Sequence, residues 1–183
     1  MPSVLEDGSF VVVRSYRGPD DAAETLAAYR AAITRTAAAD YEPEQIAAWA
    51  GAAGVDLSQW DARRGAAHTL VAVVDGRVAG FADFLDDGLL DMLFVHPDFG
   101  RRGLARLLVD AVKRDAAGAG LSVLRTYASR TARPAFERFG FRVVAFRPDN
   151  TVNGQAVPNY EMRFEPGPAP AASACPAPRR ASR

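Results

Sequence analysis

The chain of 183 residues holds one cysteine, Cys175, and two histidines, His68 and His96. One cysteine excludes a disulfide framework, and two histidines are too few for a zinc site without carboxylate help, so no metal is expected. Lys113 is the only lysine, and arginine supplies the remaining basic charge. The 22 basic residues balance 22 acidic ones, which removes any basic field that would favour nucleic acid. No apolar run is long enough to span a bilayer, and MPSVLEDGSF lacks the basic start and apolar stretch of a signal peptide. These absences predict a metal-independent cytoplasmic protein that engages neither nucleic acid nor membrane.

What is present suits a single domain with a sizeable core. FVVVRSY (10–16) reads as a strand, and the segment after GPDD as an amphipathic helix carrying Leu26, Tyr29 and Ile33. Pro43 opens a second helix, PEQIAAWA, and Asp56 is placed to cap a third, DLSQWDARR. HTLVAVV and RVAGFADFL flank Asp75-Gly76, a strong hairpin signal, and LLDMLFV completes a meander. A helix with Leu107, Leu108, Ala111 and Val112 follows, then strand LSVLRTYAS, helix TARPAFERF, strand FRVVAFRP, a polar turn over 149–156 and a last strand, VPNYEMRFE. The order predicts a mixed α/β (α+β) fold: one twisted, mostly antiparallel sheet of about six to seven strands flanked by helices. The domain is expected over residues 10–165, after an N-terminal segment 1–9. A Pro/Ala/Arg-rich tail, 166–183, is expected to be disordered.

The stretch VHPDFGRRGLA (95–105) joins a strand to a helix through a glycine-containing loop. Such a loop presents free backbone N–H groups to an anion, and Gly103 permits close approach while Ala105 leaves room. Arg101 and Arg102 oppose the positive helix terminus unless something negative sits there, and a pyrophosphate would satisfy both. Two solvated arginines beside an ordinary turn are the alternative. The loop has neither Gly-Lys-Ser/Thr nor the full Gly-x-Gly-x-x-Gly spacing.

VHPDFGRRGLARLLVDAV, the strand ending TYAS and ARPAFERFGF together resemble the GNAT family of acyl-CoA-dependent N-acetyltransferases. Gly103-Leu104-Ala105 matches the second half of the family's pyrophosphate-wrapping motif, while Gly100 stands where Arg or Gln is usual. The resemblance covers roughly residues 10–165. It implies a sheet splayed at the cofactor site and acetyl-CoA as co-substrate. It also implies a thioester held by backbone groups near Leu93, Phe94 and Val95.

Asp91 interrupts the apolar strand LLDMLFV and by alternation shares a face with Leu93 and Val95. Its place matches that of the general-base carboxylate in histone-type relatives; a carboxylate satisfied by neighbouring backbone or an arginine is the alternative. Phe136 occupies the position of the family's usual acidic tyrosine, so it can pack against the cofactor arm but donates no proton. Tyr160 is the preferred replacement, with Tyr127 or solvent as alternatives. Ser129 falls where the family contacts the cofactor, and it equally suits a helix cap. His96 reads as a turn residue. Tyr41, Trp49 and Trp60 come from the segment that forms the acceptor wall in relatives, although Trp49 equally suits a core.

The activity expected from the resemblance is acetyl transfer to the amine of a small molecule within a ternary complex. A non-catalytic acyl-CoA-binding module and a protein or peptide acetyltransferase are the rivals, and a homodimer is left open.

Overall fold

The structure, a computed structural model, describes residues 3–5, 8–51 and 54–166; the tail beyond, with Cys175, lies outside the described residues. The chain runs β1 (Ser3–Val4), β2 (Phe10–Ser15), α1 (Pro19–Ala31), α2 (Pro43–Ala50), α3 (Leu57–Ala66), β3 (His68–Val74) and β4 (Arg77–Phe84). It continues with β5 (Leu89–Val95), α4 (Leu104–Gly118), β6 (Leu124–Ser129), α5 (Arg133–Arg138), β7 (Arg142–Arg147), β8 (Thr151–Val152), β9 (Gln155–Ala156) and β10 (Asn159–Phe164). One sheet of eight strands has the order β1-β2-β3-β4-β5-β6-β10-β7, with the two-residue β1 added to the seven longer strands. Every neighbouring pair is antiparallel except β5 and β6, which α4 connects.

Local chemistry sets most of these elements. Asp75 and Gly76 both have positive φ, 48° and 83°, as the two-residue turn between β3 and β4 demands. Asn153 and Gly154 repeat that turn between β8 and β9. The Asp56 carboxylate accepts from Ser58 N and Gln59 N and so caps α3. The helix expected to carry Leu26, Tyr29 and Ile33 departs from the α pattern after Ala31: Ala32–Thr36 form a π turn and Ala37–Ala39 a 3₁₀ turn. A widened turn of this kind is a common mark of functional sites, and this one lines a cavity described below.

The sheet buries both faces. On one, Leu104, Leu108 and Val112 of α4 and Phe136 of α5 pack against Leu70, Ala72, Leu90 and Met162. On the other, Ala22 and Leu26 of α1 and Trp60 of α3 cover Val71, Val78 and Phe81. The β8–β9 hairpin stands off the sheet and docks on α2 through Gln45 Nε2 to Ala156 O (2.6 Å) and Asn153 Nδ2 to Ala48 O (2.8 Å).

Candidate active site

β5 and β6 pair only at Leu89–Arg125 and Leu90–Thr126, and beyond those residues they diverge. The opening follows from what each strand must do next. β5 stays on β4 through Val95, whereas β6 leaves to pair with β10 along its full length. His96 N donates to Ala79 O (2.8 Å) and Met92 N to Asp83 Oδ1 (3.1 Å), both toward β4. By alternation the N–H groups of Leu93 and Val95 face the gap.

A slot of about 190 Å³ fills that gap. Leu93, Phe94, Val95, Ala105, Ala132 and Ala135 line it, with Ser129 and the π turn at Ala32, Ile33 and Thr36. On the α4 and α5 side its walls are the small side chains of Ala105, Ala132 and Ala135, so an extended chain can lie close to backbone there. At one end, α4 begins at Gly103, in the left-handed region at φ 80°, with no side-chain cap and no acidic residue in its first turn. The N–H groups there are oriented for an anion and carry the positive end of the helix dipole. Arg101 is also left-handed, at φ 61°, a costly conformation for a residue with a Cβ. Arg102 lies over the Phe99 ring at 5.5 Å. A phosphate-bearing ligand with a narrow arm fits this set.

Beside the slot, and sharing Trp49, Phe94 and Ser129 with it, lies a second cavity of about 280 Å³. Tyr29, Tyr41, Trp49 and Phe94 are its aromatic wall, and Asp91, Tyr127 and Asn159 bring polar groups. Val152 and Val157 roof it from the hairpin region. The Tyr41 hydroxyl donates to Pro158 O (2.7 Å) and accepts from Arg130 N (2.9 Å), tying the loop after β6 to the start of β10. Tyr29 donates to Trp49 O (2.7 Å), and burial pushes its phenol up to about 12.

Several expected residues take other places. Asp91 lines the second cavity with Met92 and Phe94, whereas the side chains of Leu93 and Val95 pack on the α4 side. The simple alternation fails because the β4–β5 register shifts between Asp83 and Phe84, leaving Asp91 as an extra, bulged residue. Asp91 is exposed. Tyr160 is not among the residues lining either cavity: it packs on the α4-side core, against Phe146 (5.0 Å) and under Arg133 (4.8 Å). Of the two tyrosines expected as the acid, Tyr127 is the one that lines the cavity with Asp91, and it is 42% exposed. Phe136 is 3% exposed and packs on Phe139 and Phe141, so Ala132 and Ala135 line the slot in its stead. Trp60 is 4% exposed, donates Nε1–H to Thr25 Oγ1 (3.0 Å) and supports the wall from the core. Ser129 lines both cavities, and its Oγ accepts from Ala132 N (3.0 Å) in the turn that leads into α5, a helix with no side-chain cap. His96 accepts from Asp98 N through Nδ1, as a turn residue does.

Sequence reading missed Asp83 and Arg64. Asp83 is fully buried on β4, paired with Arg64 of α3, itself 4% exposed. The only signal was a lone carboxylate in the apolar strand RVAGFADF. Burial pushes the Asp83 carboxyl up to about 7; Arg64 opposes the rise and the charge on Asp91 adds to it. The folded state therefore binds this proton more tightly than the unfolded chain. The contribution of Asp83 to stability is fullest below about pH 4 and is lost as the pH climbs to about 7. The Tm of the protein, relative to that of an Asp83→Leu/Arg64→Met variant, should rise as pH is lowered from about 8 to about 5. A constant difference in thermal melts would contradict this linkage.

Among the described residues no group of three or more His, Cys, Asp or Glu could hold a metal ion, and no helix is long and apolar enough to cross a membrane.

Comparison with known proteins agrees with the geometry. The acetyltransferase (GNAT) domain family matches residues 37–164. The N-acetyltransferase YafP of Escherichia coli is 33% identical over 156 residues, covering 85% of this chain and 97% of YafP. A GCN5-related N-acetyltransferase from Rhodopseudomonas palustris superposes with a TM-score of 0.80 at 33% identity, covering 90% of this chain and 98% of that one. YncA of Salmonella typhimurium, solved with its cofactor acetyl-CoA, shares the fold at a TM-score of 0.63 and 22% identity, over 90% of this chain and 99% of its own. A splayed sheet, an open helix terminus at the end of the splay and a family match over most of the chain lead to one conclusion: this protein belongs to the GNAT family of acetyltransferases.

Proposed function

We propose that the protein transfers an acetyl group from acetyl-CoA to the primary amine of a small molecule, by direct attack within a ternary complex. The observation that carries this reading is the roofed aromatic cavity that opens onto the slot and contains Asp91. A bound acetyl-CoA supplies an acetyl thioester, a carbonyl already activated toward an amine. Arg101, Arg102 and the N–H groups at the start of α4, from Leu104 and Ala105, hold its pyrophosphate. Leu93 and Val95 offer N–H groups to its arm and carbonyl, which polarises the carbon to be attacked.

In the cavity, Asp91 accepts the proton that the acceptor ammonium must lose before its nitrogen can attack. Trp49, Tyr41, Tyr29 and Phe94 enclose the amine's apolar part and attract its cationic form before that loss. Tyr127, which lines the cavity, or water entering beside it returns a proton to the departing thiolate; Tyr160, which packs under Arg133 on the α4 side, is the alternative donor.

The docked hairpin favours a small acceptor. Val152 and Val157 close the cavity where an extended peptide would have to continue. With acetyl-CoA saturating, thiol release should be faster with small primary amines than with peptides bearing free α- or ε-amines. A higher kcat/KM for peptides would make the protein a peptide acetyltransferase, and binding of coenzyme A without turnover would make it a sensor. Arg101→Ala combined with Arg102→Ala should weaken coenzyme A binding roughly 10- to 100-fold, most strongly at low salt, without moving Tm. Unchanged binding in a titration would remove the phosphate role of these arginines.

A further inference from the structure

The bulge in β5 is what lets one strand serve two faces. Leu90 and Leu93 both pack in the α4-side core, although two residues separate them. In an unbroken strand a carboxylate in phase with Leu93 and Val95 would point into that core. The extra residue at Asp91 resets the phase, so Asp91 reaches the acceptor cavity while Leu93 and Val95 keep their apolar packing. Something must hold the bulge, because it disrupts the ladder and leaves backbone groups to be satisfied another way.

Asp83 and Arg64 do so. Asp83 Oδ1 accepts from the backbone N of Met92, the residue after the bulge, and Asp83 Oδ2 accepts from Arg64 Nη1. The same Arg64 Nη1 contacts Met92 Sδ. The Arg64 guanidinium lies 5.0 Å from the centre of the Trp60 ring and 6.0 Å from that of Phe81, two rings that meet edge to face, and Phe81 stacks on Phe94 at 5.8 Å. The pair is a poor stability device: both charges are buried and Arg64 Nε has no hydrogen-bond partner. Its contacts instead converge on the segment that carries Asp91 and the slot-lining backbone.

We propose that Arg64 and Asp83 are positioning residues for acetyl transfer, clamping the β5 bulge so that Asp91 faces the acceptor. The inference rests on the reading of Asp91 as the base, and its test separates the two. Arg64→Met combined with Asp83→Leu replaces the pair by apolar groups of similar size, a change that buried pairs often tolerate. Hydrogen exchange at the Met92 amide, followed through the peptide covering 89–95, should accelerate. kcat should fall roughly 100-fold while the KM for acetyl-CoA stays within about threefold.

Arg64→Lys, which retains a cation for Asp83, should recover part of kcat. In an Asp91→Asn background the double replacement should cost no further rate. Unchanged exchange, or faster exchange with unchanged kcat, overturns the proposal. If wild type acetylates amines and Asp91→Asn is fully active, the reading of Asp91 fails instead. The exchange result then still reports whether the clamp exists. Should the double variant fail to fold, Asp83→Asn, which keeps an oxygen for Met92 N–H, should hold exchange and kcat near wild type, whereas Asp83→Ala, which removes that acceptor, should speed the exchange and lower kcat; equal behaviour of the two overturns the proposal.

Discussion

Ala135→Phe should abolish coenzyme A binding, raising Kd at least about 100-fold, or about 2.7 kcal/mol, while Tm moves by only a few degrees. Ala135 is partly buried and lines the slot, on the turn of α5 next to buried Phe136. A phenyl ring there enters a space of about 190 Å³ between β5 and β6. The helix loses little, since Phe costs only a few tenths of a kcal/mol in propensity against Ala. The core on the far side of α5, formed by Phe136, Phe139 and Phe141, is not displaced. Titration calorimetry with coenzyme A, beside a thermal melt, separates a filled slot from a damaged fold. Retained affinity at unchanged Tm would mean that the ligand lies elsewhere.

Asp91→Asn should lower kcat by about 10² to 10⁴, the usual worth of a positioned acid or base, with coenzyme A affinity unchanged. The replacement is nearly isosteric and the residue is exposed, so stability should hold. What changes is the capacity to take a proton from an ammonium in a cavity whose other walls are mainly aromatic. A variant with wild-type kcat would leave Asp91 as a bulge residue without a chemical role.

Much of the architecture was legible because it is set locally. Asp75-Gly76 specifies its turn by backbone conformation, Asp56 caps a helix two and three residues away, and Pro43 starts another. The glycine-containing loop into α4 was legible too, since Gly103, left-handed at the start of the helix, and the two arginines before it lie together in sequence. The site's side chains were harder, because their directions depend on phase. One extra residue opposite Asp83 moved Asp91 away from Leu93 and Val95, and no local signal in LLDMLFV announces it. The same dependence separates Tyr160 from Tyr127: the β6–β10 register pairs Tyr160 with Ala128 and Tyr127 with Glu161, on alternating faces. Arg64 and Asp83 are 19 residues apart, joined across a helix and a strand, so only the fold reveals their pairing.

Acetyl transfer from acetyl-CoA in the β5–β6 slot to a small amine in the cavity beside it is read by mass spectrometry of the products formed from acetyl-CoA and a broad panel of small primary amines. An N-acetylated amine is expected with wild type and none with Ala135→Phe. Acetylation that persists in the filled-slot variant, or wild type that binds coenzyme A yet acetylates no small amine, would contradict it.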